Sequence, residues 1–129
     1  MLKSLNYVFG NVDIYDDFII AVMNEGVHIS PEYNKVLEDI VNRYYKNKPF
    51  VYLTHRKHSY SVDPAIYFET SKIENLAGFG VIAEMPVSGP NAAIEKLFLD
   101  KPFEIFGSKE NAINWAKKII KDGPNGSQG

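Results

Sequence analysis

Phe18-Ile19-Ile20-Ala21-Val22-Met23 is the stretch on which the reading of the fold turns. Six apolar residues run without a break, and Ile19, Ile20 and Val22 are β-branched. Such a run is too short to cross a bilayer and suits a strand covered on both faces. A strand of that kind implies a sheet with helices on either side of it.

The residues before it fit an outer part of the same sheet. Tyr7-Val8-Phe9, Val12, Ile14 and Tyr15 alternate with polar Asn11 and Asp13, which predicts one or two edge strands in a hairpin or meander. Asp16-Asp17 predicts the turn into the central strand. The residues after it alternate between helix and strand signals. Ser30-Pro31 predicts a capped helix start, and Tyr33, Val36, Leu37, Ile40, Val41 and Tyr44 then recur at helical spacing. Phe50 to Thr54 predicts a second inner strand, followed by a polar loop from His55 to Ser61. Asp63-Pro64 repeats the cap signal and predicts a helix over roughly Pro64 to Asn75, with weak periodicity.

Leu76 to Ala83 predicts a third inner strand despite Gly78 and Gly80, and Met85 to Gly89 a loop. Pro90 to Leu99 predicts a short helix that buries Ile94, Leu97 and Phe98. Phe103 to Phe106 predicts another strand. The last helix should open at Ser108, carry a stripe of Ala112, Trp115, Ala116, Ile119 and Ile120 with Trp115 buried against the sheet, and stop at Gly123-Pro124. The expected fold is therefore α/β: a mostly parallel five-stranded sheet with an antiparallel edge and about four helices, formed by one domain over 1–122, with a disordered tail over 123–129.

Bulk properties set the outer limits. The 129 residues suffice for one hydrophobic core, and 45% apolar with 23% charged residues is an ordinary globular balance. A formal net charge of −2 supplies no global field for nucleic acid. The absence of cysteine removes disulfides and thiolate chemistry and fits a cytoplasmic location. Neither a membrane span nor a signal-peptide core is legible at the N-terminus.

The element order, together with the closing segment Lys101-Pro102-Phe103-Glu104-Ile105-Phe106-Gly107-Ser108-Lys109-Glu110-Asn111-Ala112-Ile113-Asn114-Trp115, resembles the STAS domain superfamily, and within it the small stand-alone SpoIIAA-like proteins. In the anti-sigma factor antagonists of that family, an Asp-Ser pair after the third strand carries the phosphorylation switch. The matching stretch here, Thr54 to Pro64, has Ser59 and Ser61 but neither an Asp-Ser pair nor a following glycine. The resemblance thus implies the fold and a general binding role rather than the kinase switch.

Chemistry-bearing residues gather after the inner strands, at the end where open α/β sheets take ligands. His28, His55 and His58 all fall there and supply imidazoles enough for a zinc site, or equally an ordinary set of exposed loop histidines. His55-Arg56-Lys57-His58, shortly before a helix start, would suit a phosphate, a carboxylate or an acidic partner loop, or is simply solvated. As exposed loop charges, Arg56 and Lys57 would each contribute no more than about 0.5 kcal/mol to folding. Ser59 and Ser61 lack a nucleophile elbow and a positioned acid, Gly78-Phe79-Gly80 lacks the third glycine of a dinucleotide fingerprint, and Glu84 and Asp63 would form a carboxylate pair near the same rim or, as surface acids beside helix starts, act as caps. Tyr44, Tyr45, Tyr60, Tyr67 and Phe68 would suit an apolar groove, or belong to the core.

The sequence therefore predicts a non-enzymatic regulatory or protein-interaction domain. Its contact surface would be His28, His55, Arg56, Lys57, His58, Ser59 and Ser61, its partner another protein, with a homodimer or an anion as further partners. No metal, cofactor or catalytic residue is assigned. The alternative is a small-molecule or lipid-binding protein with an apolar pocket; a large cavity would favour that, and a flat apolar patch the interaction domain.

Overall fold

The structure, a computed structural model, describes residues 1–85 and 91–122. The opening segment forms two strands, β1 (Lys3–Tyr7) and β2 (Gly10–Ile14), antiparallel to each other and to β3 (Phe18–Met23). Beyond β3 the chain alternates α1 (Tyr33–Tyr44), β5 (Phe50–His55), α2 (Ile66–Ser71), β7 (Leu76–Ile82), α3 (Ala92–Phe98), β8 (Phe103–Phe106) and α4 (Lys109–Asp122). The sheet order β1-β2-β3-β5-β7-β8 has six strands, one more than expected, because the opening alternation makes a full hairpin. Strands β3, β5, β7 and β8 are mutually parallel.

Each parallel strand is added on the same side of the last, so right-handed crossovers put α1, α2 and α3 on one face of the sheet. Helix α4, which follows the last strand, covers the other. The central run divides accordingly: Ile19, Ala21 and Met23 pack with Leu37 and Ile40 of α1, and Phe18 and Ile20 pack with Ala112 and Ala116 of α4. On the hairpin, Val12 and Ile14 face the α1 side. Asn11 and Asp13 alternate with them on the side α4 does not reach, hydrogen-bonded to each other and to Ser4. Gly10 opens β2 because a Cβ there would lie 2.2 Å from the carbonyl oxygen of Val22.

Four local expectations need correction. The helix expected over Pro64 to Asn75 runs only over Ile66–Ser71 and has no side-chain cap, Asp63 accepting from Ala65 N in the turn before it. Ser30 does not cap α1 with its side chain; a turn over Pro31 and Glu32 precedes the helix, with Tyr33 N donating to Ser30 O at 3.0 Å. Residues 55–61 are not a free loop. His55 ends β5, and Ser61–Val62 (β6) pairs in parallel with His28–Ile29 (β4) as a separate two-stranded sheet. Trp115 is half-buried rather than buried. The expected loop over 86–89, the helix start at Pro90 and the tail over 123–129 lie outside the described residues.

Trp115 sits over the two glycines of β7. A Cβ on Gly78 would come within 3.0 Å of its ring, and one on Gly80 within 3.2 Å of it and 2.6 Å of Leu53 Cδ2. The glycines make the trough into which the indole fits, and Leu53, fully buried, has nowhere to retreat. Gly80→Val should therefore cost about 1–3 kcal/mol by overpacking. Chemical denaturation checks this, and a loss below about 0.5 kcal/mol would show that the α4 contact is looser than drawn.

Candidate functional site

The four parallel strands end together, and β5 carries the chemistry. Side chains alternate along a strand, so Tyr52, Thr54 and Arg56 face α1 and α2 while Leu53 and His55 face α4. The ladder runs one residue past the strand's formal end, with Arg56 N donating to Ile82 O at 2.9 Å. That last step turns the Arg56 side chain inward, and the residue is only 5% exposed. The expectation of an exposed loop charge at Arg56 is therefore corrected.

A guanidinium in the interior requires an anion. Glu95 of α3, 2% exposed, supplies it. Nη2 of Arg56 donates to both carboxyl oxygens of Glu95 at 2.5 Å, and the Tyr67 hydroxyl of α2 donates to the same carboxyl. Burial works to lower the guanidinium pKa, but hydrogen bonds to Glu95 and Tyr60 outweigh it and raise it. The Tyr67 hydroxyl is pushed up by burial first and by Glu95 second.

Helix α3 is rolled by this pair. Its sequence, Ala92-Ala93-Ile94-Glu95-Lys96-Leu97-Phe98, has an apolar stripe at Ile94, Leu97 and Phe98 that was expected inside. The structure corrects this: Ile94 is 45% and Leu97 82% exposed, Phe98 is half-buried against Phe68, and Glu95 takes the inner position. Phe68 is itself exposed.

Beside Arg56 lies a cavity of about 30 Å³, room for one or two waters. Apolar Met23, Ile29, Leu37 and Phe79 line it together with tyrosine hydroxyls. Tyr33 and Tyr52 share a 2.8 Å hydrogen bond, and Tyr60 and Thr54 one of 3.3 Å. Burial raises the pKa of Tyr33 and Tyr52. An open groove of about 280 Å³ lies outside, between Ser61, Val62 and Pro64 on one bank and Asn91, Ile94 and Glu95 on the other.

The other sequence-derived site residues separate. His55 is buried on the α4 face, where its Nε2 donates to Glu84 Oε1 at 2.5 Å; that bond is the main cause of the lowered Glu84 pKa. His28 Nδ1 bonds to Ser61 Oγ at 2.8 Å across the small sheet. Lys57 and His58 are exposed, and Ser59 N donates to Glu25 Oε1 at 2.9 Å. The three histidines thus have different surroundings, and among the described residues no three acidic, histidine or cysteine groups converge as metal ligands. Asp63 accepts from Ala65 N in its own turn, away from Glu84's partners. Of the groove aromatics, Tyr60 and Tyr67 line the cavity, whereas Tyr45 is tied to the backbone at Tyr15 and Phe18.

Sequence reasoning missed Glu95, Tyr33 and Tyr52. The available signal was the period of two from Tyr52 through Thr54 to Arg56, which places an arginine on a core-facing side and so calls for a buried carboxylate.

No family model and no curated protein matches the chain. It is similar to the crystal structure of an uncharacterized protein of the DUF3478 family from Shewanella loihica PV-4, described as having a SpoIIAA-like fold. The identity is 12% and the TM-score 0.47, over 81% of this chain and 90% of that one. No residue of the site and no role is carried across from it.

The buried pair and the buried tyrosines of the core each have a measurable outcome. Glu95→Ala leaves a buried guanidinium unpaired and should cost about 3–5 kcal/mol, while Arg56→Met with Glu95→Leu should recover most of it. Denaturant titration reads both, and a loss under about 1 kcal/mol for Glu95→Ala would contradict the pairing. Tyr33, Tyr45, Tyr52 and Tyr67 have folded pKa values above the ordinary 10.0. The unfolded chain therefore loses these protons first, so stability is full below pH 10 and falls as pH rises further. Absorbance titration should show them ionising only as circular dichroism is lost; ionisation near pH 10 with the fold intact would contradict their burial.

Proposed function

We propose that the chain is a non-enzymatic interaction domain that docks a partner protein on the α2–α3 face. The observation that supports this is the roll of α3: Glu95 faces in, and Ile94 and Leu97 face solvent beside exposed Phe68. Leaving a side chain of this size in water forfeits up to about 1.5–3 kcal/mol, and a covering surface recovers it. The cavity beside Arg56, at about 30 Å³, is far short of a ligand chamber, whereas the outer face is apolar and open.

The partner offers an apolar ridge flanked by acidic side chains. Lys96 of α3 and Lys57 and His58 of the rim are exposed to meet them, and Ser61 borders the same groove as Ile94. Charge at the edge of such a surface steers approach, while the apolar centre holds the complex. In this reading His28, through Ser61, belongs to the rim, Arg56 supports it from beneath, and His55, bonded to Glu84 on the α4 face, lies outside it. The cysteine-free composition fits a cytoplasmic partner.

Leu97→Asp should abolish capture of the partner while changing folding stability by less than about 0.5 kcal/mol. Lys57→Ala should weaken capture, more at low salt than at high. The measurement is quantitative affinity capture from the native cytosol, with Lys117→Glu on the exposed face of α4 as the control. A partner set held equally by wild type and Leu97→Asp would overturn the reading.

A further inference from the structure

The receptor around Glu95 is complete without α3. Arg56 comes from the end of β5 and Tyr67 from α2, and each is supported independently of the helix that bears the carboxyl. Arg56 is hydrogen-bonded to Tyr60, and the Tyr67 ring packs edge-on to Phe79 with centroids 5.8 Å apart. A guanidinium and a phenol hydroxyl converging on one point, both shielded from water, form a carboxylate receptor. α3 contributes the guest and, through Ile94, part of one bank of the outer groove.

What surrounds the receptor is apolar and has an entrance. Tyr67 and Val62 line both the inner cavity and the outer groove of about 280 Å³. Glu95 lines the groove, and Tyr67 and Val62 are shared with the small cavity behind it. The groove itself, at about 280 Å³, lies near the lower end of small-molecule sites.

We propose that the Arg56–Tyr67 corner is a binding site for a small carboxylate on an apolar body, and that Glu95 is its built-in occupant. The exchange conserves charge. The incoming carboxylate replaces Glu95 on Arg56, so the guanidinium is never left unpaired, and Glu95 regains its hydration at the groove mouth. The ligand's apolar body lies in the outer groove, along Val62, Pro64 and Ile94. Because Glu95 competes within the same chain, apparent affinity in the resting protein is reduced by the fraction of time the site stands open. This inference does not depend on the partner reading, since it rests on the Arg56–Tyr67 corner and shares with the outer stripe only Ile94 at the groove edge.

The test is an NMR titration of the full chain with 3-phenylpropionate, set against its uncharged amide, 3-phenylpropionamide. Wild type should bind the acid and not the amide, with shifts at the Arg56 guanidinium and the α3 amides. Glu95→Gln, a weaker internal competitor, should bind the acid at least about tenfold more tightly. Adding Arg56→Met in that background should abolish binding. Equal binding of acid and amide, no binding of either, or no gain in Glu95→Gln would each overturn the proposal. Should Glu95→Gln fail to fold, the wild-type comparison of acid with amide decides alone. Capture by Leu97→Asp reports on the partner reading separately.

Discussion

Arg56 is carried into the interior by the last step of β5, and the side of the molecule above it is arranged to answer that one charge. The alternation that sets Tyr52 and Thr54 against α1 and α2 leaves the guanidinium no route to water. Burying it unpaired would cost several kcal/mol, comparable to a large part of a domain's whole stability. A carboxylate must therefore come to it, and the chain delivers one on α3.

That requirement decides the roll of a seven-residue helix. Hiding Ile94 and Leu97 would gain roughly 1.5–3 kcal/mol each at full burial, of the same order as the ~3–5 kcal/mol lost by stranding Arg56 without a counter-ion. The charge pair prevails and the apolar stripe is turned out. One interaction thus produces both features on which the functional readings stand: an apolar face offered to a partner, and an anion receptor holding its own guest.

The sheet was legible in the sequence because its signals are local and continuous. Phe18–Met23 is apolar on both sides of the pleat, Asn11 and Asp13 mark the uncovered face by simple alternation, and the α4 stripe repeats through Ala112 and Ala116. The site was less legible because it depends on pairings distant in the chain. Arg56 and Glu95 lie thirty-nine residues apart, and nothing near Glu95 reports the charge that draws it in. A stripe over two helical turns shows that a face exists without showing which way it points. Reading His55 as the start of a loop also hid the final ladder bond that directs Arg56 inward. The pairing of β4 with β6, two residues on each side, is too short for any periodicity to announce.

The orientation of α3 is the claim on which the rest depends, and the absence of native cysteine makes it directly measurable. A thiol introduced by Leu97→Cys should react with a maleimide at the rate of a free, exposed thiol, while one introduced by Ile66→Cys, at a buried position of α2, should be protected until the chain unfolds. Protection of the thiol at position 97 to the level seen at 66 would mean that the apolar stripe faces the core, and the account built on the Arg56–Glu95 pair would be wrong.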